Sequence, residues 1–157
     1  MPHREGIRDY LRDIQVHGLV YDWGCGTKPI KNYLKTNDAK FVGIDKLNHV
    51  GADIIANLEV KQDFGRYGDF AFCLEVIEHI WDSKTLLENI INHLKIGGVL
   101  YFSQPYQYET HKEDDRIRYT HHGLMQLLTE AGFSDITITP TVGDLEHADG
   151  FVGSARK

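Results

Sequence analysis

The sequence predicts a doubly wound α/β protein built on a seven-stranded sheet, mostly parallel and closed by an antiparallel C-terminal hairpin. Three observations carry this expectation. Short, nearly continuous apolar runs alternate with helical stripes, the pattern of strands covered on both faces. The first run leads directly into a glycine turn, Gly24-Cys25-Gly26, as strands do when they hand over to a crossover. The last two runs are joined by a segment with Pro140, Gly143 and Asp144 and no helical stripe, so they pair antiparallel.

Each element has its own justification. Ile7, Tyr10, Leu11 and Ile14 recur at helical spacing, so residues 4–16 form an amphipathic helix that ends near Gly18. Residues 19–23 are the first strand, and residues 29–34 start a helix with Pro29 in its first turn. Residues 41–45, 53–56 and 69–74 are strands two to four. The intervals between them hold too few periodic positions for full crossover helices, which leaves those faces thinly covered. Leu86, Leu87, Ile90, Ile91 and Leu94 make a stripe that begins behind Asp82 and Ser83 as caps and stops at Gly97-Gly98. Residues 99–102 are the fifth strand. Leu124, Leu127, Leu128 and Ala131 define a helix capped by Thr120 and closed by Gly132, followed by strands at 133–139 and 151–155. No repeat, low-complexity tract or linker interrupts the chain, so residues 1–157 read as one domain.

Composition narrows the function classes. The chain is 41% hydrophobic and 25% charged, with a mean hydropathy of -0.37, the profile of a soluble globular protein. At 157 residues a chain buries roughly 68–70% of its unfolded surface and needs no disulfide or metal staple. Cys25 and Cys73 match no paired-ligand spacing, which favours a reduced, cytoplasmic setting. The N-terminal segment is too polar for a signal peptide, and no apolar run approaches the roughly 20 residues of a membrane span. Seventeen basic residues are scattered among 23 acidic ones, for a net charge of -6. No basic stripe therefore invites duplex nucleic acid.

The chemistry begins at the glycine turn, where missing side chains let a ligand approach the backbone at the carboxyl ends of the strands. Two glycines alone make a tight turn in any protein. Here Asp45 closes the second strand, where a carboxylate can accept hydrogen bonds from both hydroxyls of a ribose. The third glycine of a dinucleotide fingerprint is absent, and Asp22 precedes the first. That carboxylate repels a pyrophosphate and suits a cationic, amino-acid-bearing cofactor.

Taken together, these residues resemble the class I S-adenosylmethionine-dependent methyltransferases. Asp22-Trp23-Gly24-Cys25-Gly26-Thr27 resembles the family's first motif, and Asp45 its ribose-binding acid. Leu74-Glu75-Val76-Ile77-Glu78-His79-Ile80 resembles its segment after the fourth strand, and Leu94-Lys95-Ile96-Gly97-Gly98 the turn before the fifth. The likeness spans roughly residues 18 to 156. Gly26-Thr27-Lys28-Pro29 with His111, Asp115, Arg118, Tyr119, Thr120 and Ala131-Gly132-Phe133 looks like a bacterial-type subgroup of small methyltransferases. The resemblance implies a Rossmann-like domain that moves a methyl group from S-adenosyl-L-methionine, leaving S-adenosyl-L-homocysteine. The acceptor would be an oxygen or nitrogen of a small polar molecule, such as a glycan or metabolite precursor.

The same resemblance implies a site. Gly24 and Gly26 would pass beneath the methionyl part, with Trp23 and Cys25 in the same turn and Asp22 orienting the ammonium. Asp45, with Lys46 beside it, would take the ribose, Asn57 and Leu58 would face the adenine, and Leu74 and Glu75 would close the other wall. Lys28 replaces the family's more usual third glycine. Such a reaction is an in-line displacement for which the protein supplies geometry and removes a proton. His79 is the first candidate base, its unperturbed pKa lying near working pH, with a packing role as the alternative. The polar loop 105–119 is a candidate substrate lid that adds His111, Asp115 and Arg118 to the catalytic set. Asp115 and Arg118 either orient the loop by pairing or bind a polar substrate.

Other signals are set aside. His111, Glu113, His121 and His122 follow no compact ligand spacing, so no metal is expected. Gln104-Pro105-Tyr106 is similar to the proline-aromatic motif of DNA amino-methyltransferases, yet it follows the fifth strand rather than the fourth. Cys25 has no base at a fixed offset and reads as a small turn residue. Two other function classes stand beside the enzyme: a non-catalytic cofactor-binding partner or regulatory subunit, and a nicotinamide-dependent oxidoreductase. The lean sheet leaves room for a second copy, as a homodimer, or a partner chain to complete the site.

Overall fold

The structure, a computed structural model, describes residues 2–27, 29–48, 51–110 and 112–157. Helix α1 (Pro2–Leu11) leads into β1 (Gln15–Trp23), and β2 (Lys35–Asp45), the two-residue β3 (Ile54–Ile55) and β4 (Gly68–Leu74) follow. Helix α2 (Ser83–Asn92), β5 (Leu94–Pro105), α3 (His121–Glu130), β6 (Ser134–Pro140) and β7 (Gly150–Arg156) complete the order. The seven strands form one sheet in the order β3-β2-β1-β4-β5-β7-β6, parallel from β3 to β5. β7 runs antiparallel between β5 and β6. Strand order reverses between β1 and β4, so the crevice at their carboxyl ends is where this topology receives a ligand.

Side-chain alternation along β1 divides the core. Val16 and Val20 face α1 and cluster with its Ile7 and Leu11 and with Phe72 and Val152. Tyr21 and Trp23 face the other way, into a larger cluster with Leu86, Leu87 and Ile90 of α2 and Leu124 and Leu128 of α3. The caps expected of α2 and α3 form: Asp82 accepts from the Thr85 N–H and Thr120 from the Gly123 N–H. No helix among the described residues is long and apolar enough to cross a membrane.

Four elements differ from their sequence expectation. The first helix ends at Leu11 rather than at 16, because residues from Gln15 onward pair with β2. The helix expected over 29–34 is a single 3₁₀ turn, Ile30–Asn32. The reason is reach. β1 has nine residues and Gln15 pairs with Lys35, so the return must span about 26 Å at about 3.3 Å per residue. The eleven residues between the strands would cover only about 16 Å as a helix. The crossover therefore forms no α-helix and returns through turns around that single 3₁₀ turn, which leaves α1 as the cover for this face.

Leu94, read as the last position of a helical stripe, instead pairs with Gly68 in the sheet, because α2 stops at Asn92. Residues 95–98 then bulge out before Val99 rejoins the ladder opposite Phe70. Finally, the third strand is two residues rather than four, since β2 offers it only Ile44 and Asp45 as partners.

Candidate functional site

A cavity of about 480 Å³ opens at the switch point between β1 and β4 and extends along the α1 face. Asp22, Gly24, Cys25, Leu74 and Glu75 line one part of it, and side chains of α1 the other. A recess of about 120 Å³ on the far side of the glycine turn adds Gly26 and shares Asp22 and Cys25. Five of the residues expected at the cofactor therefore converge on the cavity, and Gly26 borders the recess.

Asp22 is the electrostatic centre of this arrangement. It is 5% exposed, its Oδ2 accepts from the Ile30 N–H at 2.8 Å, and among the described residues it forms no ion pair. Burial pushes its carboxyl up to about 6, the Ile30 N–H works against that shift, and the charge of Asp45 adds to it. Cys25 feels the same surroundings. Burial and then the charges of Asp22, Asp45 and Asp53 push its thiol up to about 11, so it remains protonated at neutral pH.

The two turn glycines have different reasons for being glycine. Gly24 has φ +74°, and a Cβ there would lie 2.4 Å from Val76 Cγ2. Its missing side chain accommodates a residue of the protein. Gly26 has φ +52° and nothing nearer than the Gly24 oxygen at 4.0 Å, so its bare side faces open space. Gly26 thus leaves its side open, whereas at Gly24, which lines the cavity, the close approach is Val76.

Asp45 is buried at the end of β2, where its Oδ2 accepts from Gly26 N–H at 3.0 Å and its Oδ1 from Leu47 N–H at 3.0 Å. It shapes the turn, and each oxygen keeps a further lone pair for a hydroxyl. Trp23 points away from the cavity and packs against Phe64 and His93. Leu58 is likewise in the core, while Asn57 is exposed and its Oδ1 accepts from Glu59 N–H at 3.0 Å. The lean segment after β3 is held by α2. Asn89 donates to the carbonyls of Leu58 and Val60 and accepts from Gln62 N–H, and His93 Nε2 accepts from Phe64 N–H.

Glu75 was expected as a wall residue, but its network was not legible. Its φ is +57°, an uncommon conformation for a side chain of this kind. Ser103 holds it by accepting from its N–H and donating to Oε1. On the other side His3 Nε2 donates to Oε2 at 3.1 Å, and His3 Nδ1 lies 2.7 Å from the Thr141 hydroxyl. The buried His3 thus ties α1 across 72 residues of sequence to the end of β4, a contact with no sequence signature.

The residues expected to be catalytic are arranged differently from a convergent set. His79 does not line the cavity. Its Nδ1 lies 3.0 Å from Asp114 Oδ1, and Glu78 Oε1 is 3.6 Å from Nε2. Asp114 also pairs with Lys46 at 3.3 Å, so the loop after β5 is tied to the ends of both β2 and β4. Burial raises the Asp114 carboxyl, but His79 and Lys46 together hold it below its ordinary value. Arg118 is engaged within its own loop. Its guanidinium forms a bidentate pair with Asp115 and donates to the carbonyls of Tyr106 and Tyr108 at 3.0 Å each. Its donors close the loop on itself. His111 lies outside the described residues, as does Lys28. Among the described residues no group of three or more His, Cys, Asp or Glu side chains converges as a metal site.

The sequence model of a family described as a methyltransferase domain matches residues 4–138. No curated protein matches the chain. Several solved structures share the fold. An S-adenosylmethionine-dependent methyltransferase from Mesorhizobium loti is 15% identical with a TM-score of 0.74, covering 100% of this chain and 98% of its own. One from Clostridium acetobutylicum is 13% identical with a TM-score of 0.73, covering 98% of this chain and 87% of its own. The N-methyltransferase NodS from Bradyrhizobium japonicum is 15% identical with a TM-score of 0.71, covering 99% and 93%. At such identities the likeness is one of fold.

Proposed function

The chain belongs to this methyltransferase-domain family, and from that premise we propose that it uses S-adenosylmethionine to methylate an oxygen or nitrogen of a small polar acceptor. The observation that carries the reading is Asp22, a buried carboxylate without a basic partner among the described residues, set at the switch-point cavity beside an open glycine turn. Such a site is incomplete without a cation, and a sulfonium-bearing amino acid supplies one.

In this reading Asp22 holds the cofactor's cationic end, the open side of Gly26 admits its backbone approach, and Asp45 accepts from the ribose hydroxyls. The cofactor, when bound, supplies an activated methyl group. The protein's own part is to hold the acceptor in line and exclude water. Glu75, fixed by Ser103 and His3, presents a carboxylate at the cavity that can take a proton from an acceptor hydroxyl or amine. We place the base there in preference to His79, which faces Asp114 and is absent from the lining.

A nicotinamide reading is disfavoured by the same turn. A pyrophosphate needs free N–H groups at a helix start, but Pro29 has none and the Ile30 N–H already serves Asp22. Calorimetric titration with S-adenosylhomocysteine, with a nicotinamide dinucleotide as matched control, tests the choice. Binding of the first alone supports the methyl-transfer site, whereas binding of the second alone would sink it. Stoichiometric binding with no turnover on any acceptor would favour a regulatory subunit. Asp45→Ala is expected to weaken S-adenosylhomocysteine by ~1.5–3 kcal/mol, the worth of hydrogen bonds to a charged group. Unchanged affinity in that titration removes Asp45 from the ribose position.

A further inference from the structure

The α1 half of the cavity has a chemistry of its own. Arg4 and Arg8 stand at i and i+4, on one face of α1, Arg12 follows in the turn just past its end, and all three line the cavity. Lys35, at the start of β2, lines it as well. Between these cations the lining is apolar: the edges of the buried Ile7, Leu11 and Ile30, and the exposed ring of Tyr33. The acids of the same helix, Glu5 and Asp9, are absent from the lining. Arg12 pairs with Asp9, and Arg8 lies 6.0 Å over the ring of Tyr33. Among the described residues no ion pair uses Arg4, Arg8 or Lys35. In a protein of net charge -6, a row of cations over an apolar floor is not what scattered surface charge produces. From Arg4 to Arg8 the row runs about 6 Å along the helix axis, and Arg12 continues it from the turn that follows. Its Arg4 end lies beside the Glu75 turn, since the neighbouring His3 bonds to Glu75.

We propose that this half of the cavity is the acceptor site and that the acceptor is an amphipathic anion: an elongated apolar body ending in a carboxylate or phosphate. The identification rests on the methyl-transfer reading. The anionic end lies against Arg8, Arg12 and Lys35, the body lies along the Tyr33 ring and the edges of Ile7 and Leu11, and the atom to be methylated reaches the turn at Asp22, Gly24 and Glu75. Arginine suits this task because its planar fork pairs two oxygens at once. Asp22 and Glu75 repel the anionic end from the turn, so the ligand enters in one orientation.

The test is a calorimetric titration of the full chain, without cofactor, with decanoate and decyl phosphate. Decanol and decyltrimethylammonium serve as uncharged and cationic controls with the same body. At least one anion is expected to bind tenfold or more tightly than decanol, and the two anions between them tell carboxylate from phosphate. The preference should shrink as salt is raised, since the cations are partly exposed. Arg8→Gln and Lys35→Gln are each expected to weaken the preferred anion by about tenfold while leaving decanol and S-adenosylhomocysteine unchanged; both side chains are exposed, and an unaltered melting temperature confirms the fold. Equal binding of decanol and both anions would overturn the proposal. So would a parallel loss of S-adenosylhomocysteine in the two variants, because the cations would then serve the cofactor. Anion preference without S-adenosylhomocysteine binding would overturn the methyl-transfer reading instead.

Discussion

Gly24→Val is expected to destabilise the protein by about 2–5 kcal/mol, the combined cost of a branched side chain at positive φ and of an overpacked contact. The contact is specific: the new Cβ would fall 2.4 Å from Val76 Cγ2, on the turn that follows β4. Read as a sequence, Gly24 belongs to the cofactor, and a substitution there would leave a folded protein that no longer binds. In the fold it belongs first to the packing of two strand ends. Urea denaturation of Gly24→Val, alone and combined with Val76→Ala, separates the two. Removal of the valine methyls should recover the steric part of the loss and leave the backbone part. Gly26→Ala is the companion measurement, expected to cost only about 1–2 kcal/mol because its Cβ meets open space. If Gly24→Val unfolds at the same urea concentration as the parent chain, the packing account of this turn is wrong.

Asp22→Asn should stabilise the fold above neutrality while removing ligand affinity. The Asp22 carboxyl titrates at about 6 in the native state against 3.8 unfolded, so the native state binds more protons between those values. Stability is therefore lost as pH rises from about 4 through about 6, at about 1.4 kcal/mol per pH unit, and the loss levels off at ~3 kcal/mol. The amide cannot ionise, yet its oxygen can still accept from the Ile30 N–H. Measured across pH 4 to 8, the two stability curves should coincide near pH 4 and separate by ~3 kcal/mol at pH 7.5, with the variant the more stable. Parallel curves would show that Asp22 is not a buried ionised group. Affinity for S-adenosylhomocysteine should move the opposite way, falling by ~1.5–3 kcal/mol. In the parent chain it should tighten as pH rises through 6, since the ligand's ammonium selects the ionised form. A group that costs stability at working pH and improves binding is the expected signature of a functional carboxylate.

The site was legible to the extent that its residues come from strand ends. Asp22, Leu74 and Glu75 sit where their runs of apolar residues stop, and a parallel sheet brings those stops to one edge. The loop after β5 was legible as polar and long, but not that Arg118 would spend itself on Asp115 and two carbonyls. Ion pairing and substrate binding draw on the same residue types, and only position decides between them. His3 carried no signal at all, being one polar residue on an amphipathic helix. The spacing of Arg4, Arg8 and Arg12 was visible in the sequence, yet a helix shows the same spacing when its polar face meets only water.

Local patterns by themselves determined the order and type of most elements, the antiparallel end of the sheet, the caps at Asp82 and Thr120, and the family motifs around the glycine turn. These depend on neighbours three or four residues apart, or on the alternation of a strand, and so are written locally. Tertiary structure alone decided the crossover after β1, and with it the site. Only the pairing of Gln15 with Lys35 makes the return longer than eleven helical residues can span. The chain there returns through turns and a single 3₁₀ turn, α1 takes over the sheet face, and a cavity lined by arginines opens where a helix was expected. The length of a paired strand is a property of two segments together, and neither segment states it alone.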